Sequence, residues 1–86
     1  MMIEYLNGLL SEVNPAHAVI DINGIGYYIH ISLNTFTALN EKKNVRLYIH
    51  EVIREDCHLL YGFYEKEERE MFRALLSVSG IGASVA

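Results

Sequence analysis

The dipeptide Asn23-Gly24 constrains this chain more than any other short segment. Both residues tolerate positive φ, and they lie between two runs that alternate apolar and polar residues. Such a pair closes a tight two-residue β-hairpin, because primed turns match the twist of the strands they join. Strands are therefore expected over residues 17–22 and 25–32. In the second, Ile25, Tyr27, Ile29 and Ile31 share one face, and Gly26, Tyr28, His30 and Ser32 the other. The Gly24-Ile25-Gly26 motif falls inside this hairpin and reads as its turn, not as an anion site.

Residues 2–13 read as a preceding strand. Its interior Gly8 implies a sharp bend, a bulge or a close backbone approach. Residues 33–43 form a connector with a short helix carrying Phe36 and Leu39, capped by Asn34 and closed by Asn40. Residues 45–54 and 57–63 read as two further strands joined at Glu55-Asp56. A two-residue tip puts Val52 opposite Leu59 and His50 opposite Tyr61. Glu-Asp is a poor match to the primed turns, so a longer tip is the competing expectation.

After Phe63 the pattern changes. Residues 65–78 predict an amphipathic helix with an acidic first turn, a Glu65–Arg69 pair and an apolar side of Phe72, Leu75, Leu76 and Val78. Gly80 ends it, and Ser84-Val85-Ala86 looks like the start of another helix. Five short strands with a helical connector after the third predict a mainly β fold, a small five-stranded Greek-key barrel of the OB-fold pattern. A half-open sandwich is the rival.

At 86 residues this is one domain, or one domain with part of another. So small a core favours self-association. No apolar stretch is long enough to span a bilayer, the amino terminus lacks signal-peptide regions, and Cys57 has no partner for an internal disulfide, so the expected compartment is the cytoplasm. The net charge of −4 argues against nonspecific nucleic-acid binding, which requires a Lys/Arg surplus. Any such role must rest on local geometry.

Two features invite a chemical reading. Ser79-Gly80-Ile81-Gly82 follows an amphipathic helix and precedes a second helix start, so its backbone amides could face a phosphate; a helix C-cap explains Gly80 equally well. Glu55 and Asp56 are adjacent on a solvated tip, where side chains point apart and nothing raises one pKa. A phosphate-repelling tip is the functional reading and a plain solvated turn the simple one. His17, His30, His50 and His58 show no metal-ligand spacing. The tyrosines at 5, 27, 28, 48, 61 and 64 could stack bases, though packing is their commoner fate. The chain has no Walker A lysine motif, nucleophile elbow or paired-cysteine motif, so no catalytic residues or metal ligands are assigned.

Taken together, Asn23-Gly24-Ile25-Gly26-Tyr27, Arg54-Glu55-Asp56, Leu59-Leu60-Tyr61-Gly62-Phe63, Glu68-Arg69 and Ser79-Gly80-Ile81-Gly82 closely resemble the RuvA family, the Holliday-junction recognition subunits of the bacterial branch-migration motor. The resemblance runs along essentially the whole chain. It implies an OB-fold over residues 1–64 that builds a homotetramer core. Residues 65–86 become the first, truncated part of a helix-hairpin-helix domain. Glu55 and Asp56 match the family's acidic pin, and Ser79, Gly80, Ile81 and Gly82 its DNA-backbone hairpin. The implied partners are four-way junction DNA, a RuvB-like AAA+ motor engaged through a C-terminal domain missing from this chain, and a RuvC-like resolvase. The implied role is non-catalytic, in DNA recombination and the repair of DNA damage, with ATP and magnesium belonging to the RuvB-like helicase partner. Where the family usually has a basic or polar residue after the hairpin, this chain has Ala83-Ser84, so phosphate binding would lean on amides. The alternative is an OB-fold assembly or protein-interaction module that does not bind DNA.

Overall fold

The structure, a computed structural model, describes residues 2–79. Five strands and two helices follow in order: β1 (Tyr5–Val13), β2 (His17–Ile22), β3 (Ile25–Ile31), α1 (Leu33–Leu39), β4 (Asn44–Ile53), β5 (His58–Phe63) and α2 (Lys66–Ser79). The strands close into a barrel in the order β1-β2-β3-β5-β4, with β4 returning to β1. Closure rules out the half-open sandwich and gives the OB-fold arrangement, with α1 between β3 and β4.

The Asn23-Gly24 turn forms as its residues dictate. Asn23 has φ 53° and Gly24 φ 87°, and Asp21 Oδ1 accepts from the Gly24 amide at 2.9 Å. The turn sets a six-pair antiparallel ladder from His17–His30 to Ile22–Ile25. Alternation then turns Ala18, Ile20 and Ile29 into the barrel, where they are fully buried with Leu39, Leu47 and Ile49. Tyr27 and Ile31 pack against this cluster as expected, while Ile25, beside the turn, is exposed.

β1 is shared between two neighbours. Tyr5–Leu9 pair with Asn44–Tyr48 of β4, and Leu9–Val13 pair with Ala18–Asp21 of β2 across a bulge between Leu10 and Glu12. Gly8 sits where the strand coils from one partner to the other. A Cβ there would lie 2.6 Å from the Asp21 carbonyl oxygen, so the interior glycine marks a close backbone approach. Gly62 serves the opposite wall: a Cβ would lie 2.5 Å from Ile29 Cγ2, where β5 runs parallel to β3 through just His30–Tyr61 and Ile31–Gly62.

The connector helix is capped two residues earlier than the sequence suggests. Ser32, not Asn34, is the N-cap, with its Oγ accepting from the Thr35 amide at 3.2 Å. Extended φ and ψ at Ser32 leave its hydroxyl aimed at the free amides, whereas Asn34 is already inside the helix. Asn40 closes α1 as expected, and Leu39 reaches the core.

Candidate nucleic-acid interface

β4 outlasts its neighbour. Its ladder with β1 ends at Tyr48–Tyr5, but its ladder with β5 continues from Tyr48–Phe63 to Ile53–His58. The far half of the β4–β5 hairpin is therefore an arm leaving the barrel wall. Its register matches the two-residue reading, with Val52 opposite Leu59 and His50 opposite Tyr61. The longer tip is not formed. The Arg54 amide donates to the Cys57 carbonyl at 2.8 Å and the Cys57 amide returns to Arg54 at 3.4 Å, leaving Glu55 and Asp56 as the turn. The poor match to primed turns is resolved by backbone choice: among the described residues, the non-glycine positions with positive φ are Asn23 and Glu41, so the tip turns without one.

Arg54, Glu55 and Asp56 are all exposed. Two carboxylates thus stand at the end of a projecting arm, with one guanidinium beside them. Behind the tip, Glu51 secures the arm. Its side chain is only 7% exposed, accepting from the Ile3 amide at 2.9 Å and pairing with His58 Nε2 at 2.6 Å. Burial pushes the Glu51 carboxyl up, but the Ile3 and His58 hydrogen bonds outweigh it and hold the group below its usual range.

α2 is fastened to the root of this arm. Arg69 is 2% exposed. Its Nη1 donates to the Glu4 carbonyl at 2.7 Å and the Ile49 carbonyl at 3.4 Å, and its Nη2 to the Glu4 carboxylate at 3.0 Å. Nε and Nη2 both donate to Glu70 Oε1. The expected Glu65–Arg69 pair gives way to these partners because Arg69 faces the barrel. Glu65 instead donates its amide to Glu68 Oε1 at 3.3 Å, one half of a capping box just ahead of the helix. The Arg69 hydrogen bond, with the nearby Lys66 and Arg73 charges, overcomes burial and lowers the Glu4 pKa.

One turn on, Phe72 packs against His50, Tyr61 and Phe63. Arg73 donates from Nε to His50 Nδ1 at 3.1 Å and from Nη2 to the Ile49 carbonyl at 3.2 Å. Burial first, then the Arg73 and Arg69 charges, push the His50 pKa down, which suits an imidazole nitrogen that accepts from a guanidinium. Of the expected apolar side, Phe72 makes the docking contact and Leu76 is half-buried, but Leu75 is 63% exposed. The face turned to the barrel is Arg69, Phe72 and Arg73, at i, i+3 and i+4. Sequence reasoning missed this face because two of its three members are charged. The signal available was that spacing around Phe72.

The remaining candidates fall into place. His17 pairs with Glu12 at 2.8 Å and stacks on Tyr28, and His30 packs against Tyr28 and Tyr61. His17 and His30 face each other across the β2–β3 ladder and His30 and His50 both pack on Tyr61, and no group of three or more His, Cys, Asp and Glu that could hold a metal ion occurs among the described residues. Cys57 is half-buried at the hairpin closure. Among the described residues no helix is long and apolar enough to cross a membrane. Ser79 is the last residue of α2, and Gly80, Ile81 and Gly82 lie outside the described residues.

A closed five-stranded barrel with this strand order and a projecting β4–β5 hairpin is an OB-fold, a class built to present loops to oligonucleotides and other ligands. The family described as RuvA N terminal domain matches residues 2–62. Similar proteins named "Holliday junction branch migration complex subunit RuvA" come from Bacteroides thetaiotaomicron (60% identity over 85 residues), Christiangramia forsetii (55% over 85) and Pseudomonas syringae pv. syringae (48% over 86). Each alignment covers 99% of this chain and 42%, 44% and 43% of the relative, respectively. The chain therefore belongs to the RuvA family, and it spans less than half the length of these relatives.

Proposed function

We propose that this chain is the junction-facing part of a subunit that recognises four-way DNA and supports its branch migration during recombination and repair. Its closeness to proteins named as Holliday junction branch migration subunits supports this reading. The observation that carries it at the residue level is the acid-tipped arm. Glu55 and Asp56 end a hairpin that leaves the barrel, exposed and free of the β1 ladder.

In this reading residues 1–64 form the core of a homotetramer and residues 65–86 begin the DNA-gripping domain. Four arms meeting on one axis would gather about eight carboxylates, and juxtaposed like charges disfavour an approaching phosphate chain by up to several kcal/mol. Duplex DNA is kept off the centre and the junction arms are held apart there. Ser79, Gly80, Ile81 and Gly82 bind backbone phosphate around that centre through amides and the partial positive charge of the next helix N-terminus. The chain works in the cytoplasm beside a RuvB-like motor, which supplies ATP and magnesium chemistry, and a RuvC-like resolvase acts on the same junction.

The test is the pair Glu55→Gln and Asp56→Asn in the full-length protein. Junction affinity in a gel shift is expected to hold or rise, while the rate of motor-driven branch migration changes. Collapse of junction binding would make the tip a structural element and end the repulsion reading.

A further inference from the structure

We infer that Arg69 is a positioning residue: it sets α2 at a fixed angle to the arm carrying Glu55 and Asp56. The inference rests on the junction-recognition reading and adds the residue that couples its two halves.

The sheet has a defect at the root of the arm. β1 ends its ladder at Tyr5–Tyr48, and the Ile49 amide donates to the Glu4 carbonyl at 3.0 Å. From Ile49 onward β4 has lost its partner on that side, so the Ile49 carbonyl has no strand to receive it. α2 supplies the missing donors. Arg69 Nη1 and Arg73 Nη2 both reach that carbonyl, and Arg69 Nη1 also takes the Glu4 carbonyl that closes the β1 side. Helix side chains thus finish the sheet where the arm departs.

The chemistry is specific to a guanidinium. Anchoring a helix needs only apolar contact, which Phe72 provides. Apolar contact leaves the helix free to rotate and slide, whereas directed hydrogen bonds fix its angle. Arg69 makes such bonds from three nitrogens to two main-chain carbonyls, one just ahead of β1 and one on β4, and to two carboxylates. A planar fork spans those acceptors, and a lysine point charge does not. Because Arg69 is nearly fully buried, the set does not loosen into solvent. The arm beyond is short and itself pinned through Glu51 to the Ile3 amide. Charge-bearing tip and α2 therefore behave as one rigid unit.

The experiment uses the full-length protein carrying Arg69→Lys or Arg69→Met. It measures affinity for a four-way junction and for a linear duplex of equal length, with amide exchange at residues 49–53 and 58–61. Wild type is expected to prefer the junction. Both variants should hold duplex affinity within about twofold while junction preference falls about tenfold, the scale carried by a positioning network. Exchange should rise at the arm root and stay unchanged in the β2–β3 hairpin. Junction preference and arm exchange both at wild-type levels in folded Arg69→Lys would overturn the inference. If Arg69→Met does not fold, Glu4→Ala removes a side-chain acceptor of Arg69 and should shift the same two readouts in the same direction; no shift overturns it equally. A wild-type protein without junction preference would sink the functional reading, and arm exchange in the variants would then decide the clamp alone.

Discussion

Arg69 and Glu4 are joined twice, once through the Glu4 carbonyl at 2.7 Å and once through its carboxylate at 3.0 Å, across 65 positions of sequence. This ties the residue just ahead of β1 to α2, around the rim of the barrel. The two halves of the contact differ in worth. The Glu4 side chain is 54% exposed, so water screens the ion pair, whereas the main-chain bonds are shielded by a buried guanidinium.

Removing Arg69 should therefore hurt mainly through the two main-chain hydrogen bonds it loses, the Glu4 carbonyl keeping the Ile49 amide and the Ile49 carbonyl keeping Arg73 as their remaining donors. Arg69→Ala is expected to destabilise the fold by about 2–4 kcal/mol, since it removes a buried set of charge-assisted hydrogen bonds and opens a cavity. Glu4→Gln should cost well under half as much. Urea denaturation of the two variants checks the ratio. Equal losses would mean that the ion pair, and not the main-chain bonds, dominates.

The glycines give a graded series. At Gly8 a methyl group would meet the Asp21 carbonyl oxygen at 2.6 Å, which is backbone within a ladder. At Gly62 it would meet Ile29 Cγ2 at 2.5 Å and Leu47 Cδ1 at 3.1 Å, which are side-chain ends locked in the core. At Gly26 it would meet only Val19 Cγ1 at 3.3 Å. Gly8→Ala and Gly62→Ala should each cost about 1–3 kcal/mol or more by overpacking, with Gly8→Ala the worse because backbone cannot step aside. Gly26→Ala should lie within about 0.5 kcal/mol of wild type, in line with a surface substitution. Thermal melts of the three, read together, test the order.

Much of the barrel was legible because local chemistry and tertiary need agree there. Asn23-Gly24 specifies a turn, and the turn specifies which side chains of β2 and β3 enter the core. The register of β4 on β5 was left open by the sequence; burial holds it in the structure, since a slip of one would turn Leu60 out of the core and Val52 and Leu59 to the other face. What escaped was non-local. Arg69 reads as a surface charge beside Glu65, and nothing nearby in sequence says that β1 ends early and leaves carbonyls for it. The tip chemistry was likewise visible as two carboxylates, but its two-residue closure depended on backbone angles that Glu and Asp do not advertise.

The cap of α1 separates local reading from structure cleanly. Ser32→Ala removes the hydroxyl that accepts from the Thr35 amide and should cost about 1 kcal/mol. Asn34→Ala replaces an exposed helix-interior residue with a better helix former and should be neutral or slightly stabilising. Equilibrium unfolding of both variants decides between the two cap assignments, and a larger loss for Asn34→Ala would reverse the assignment made above.

The docking of α2 should weaken in mild acid. His50 accepts a hydrogen bond from Arg73 through Nδ1, faces the Arg69 charge, and is enclosed by Tyr61 and Phe72. A proton on Nδ1 would abolish the acceptor and set a cation against two guanidiniums. The His50 pKa is accordingly lowered from its ordinary 6.5 by burial and by those charges. Between the lowered value and 6.5 the unfolded chain binds more protons than the folded one, so stability falls as pH falls. The contribution of His50 is complete above 6.5 and is lost as pH drops through the folded-state value. Glu4 and Glu51 are also lowered, but from 4.5, so their losses come in stronger acid. His50→Asn keeps an acceptor for Arg73 and removes the titration. Melting temperatures of wild type and His50→Asn, followed across about pH 5 to 7 where histidine titrates, should diverge on the acid side, with the variant the flatter. Parallel curves would show that the His50–Arg73 contact does not govern the acid response.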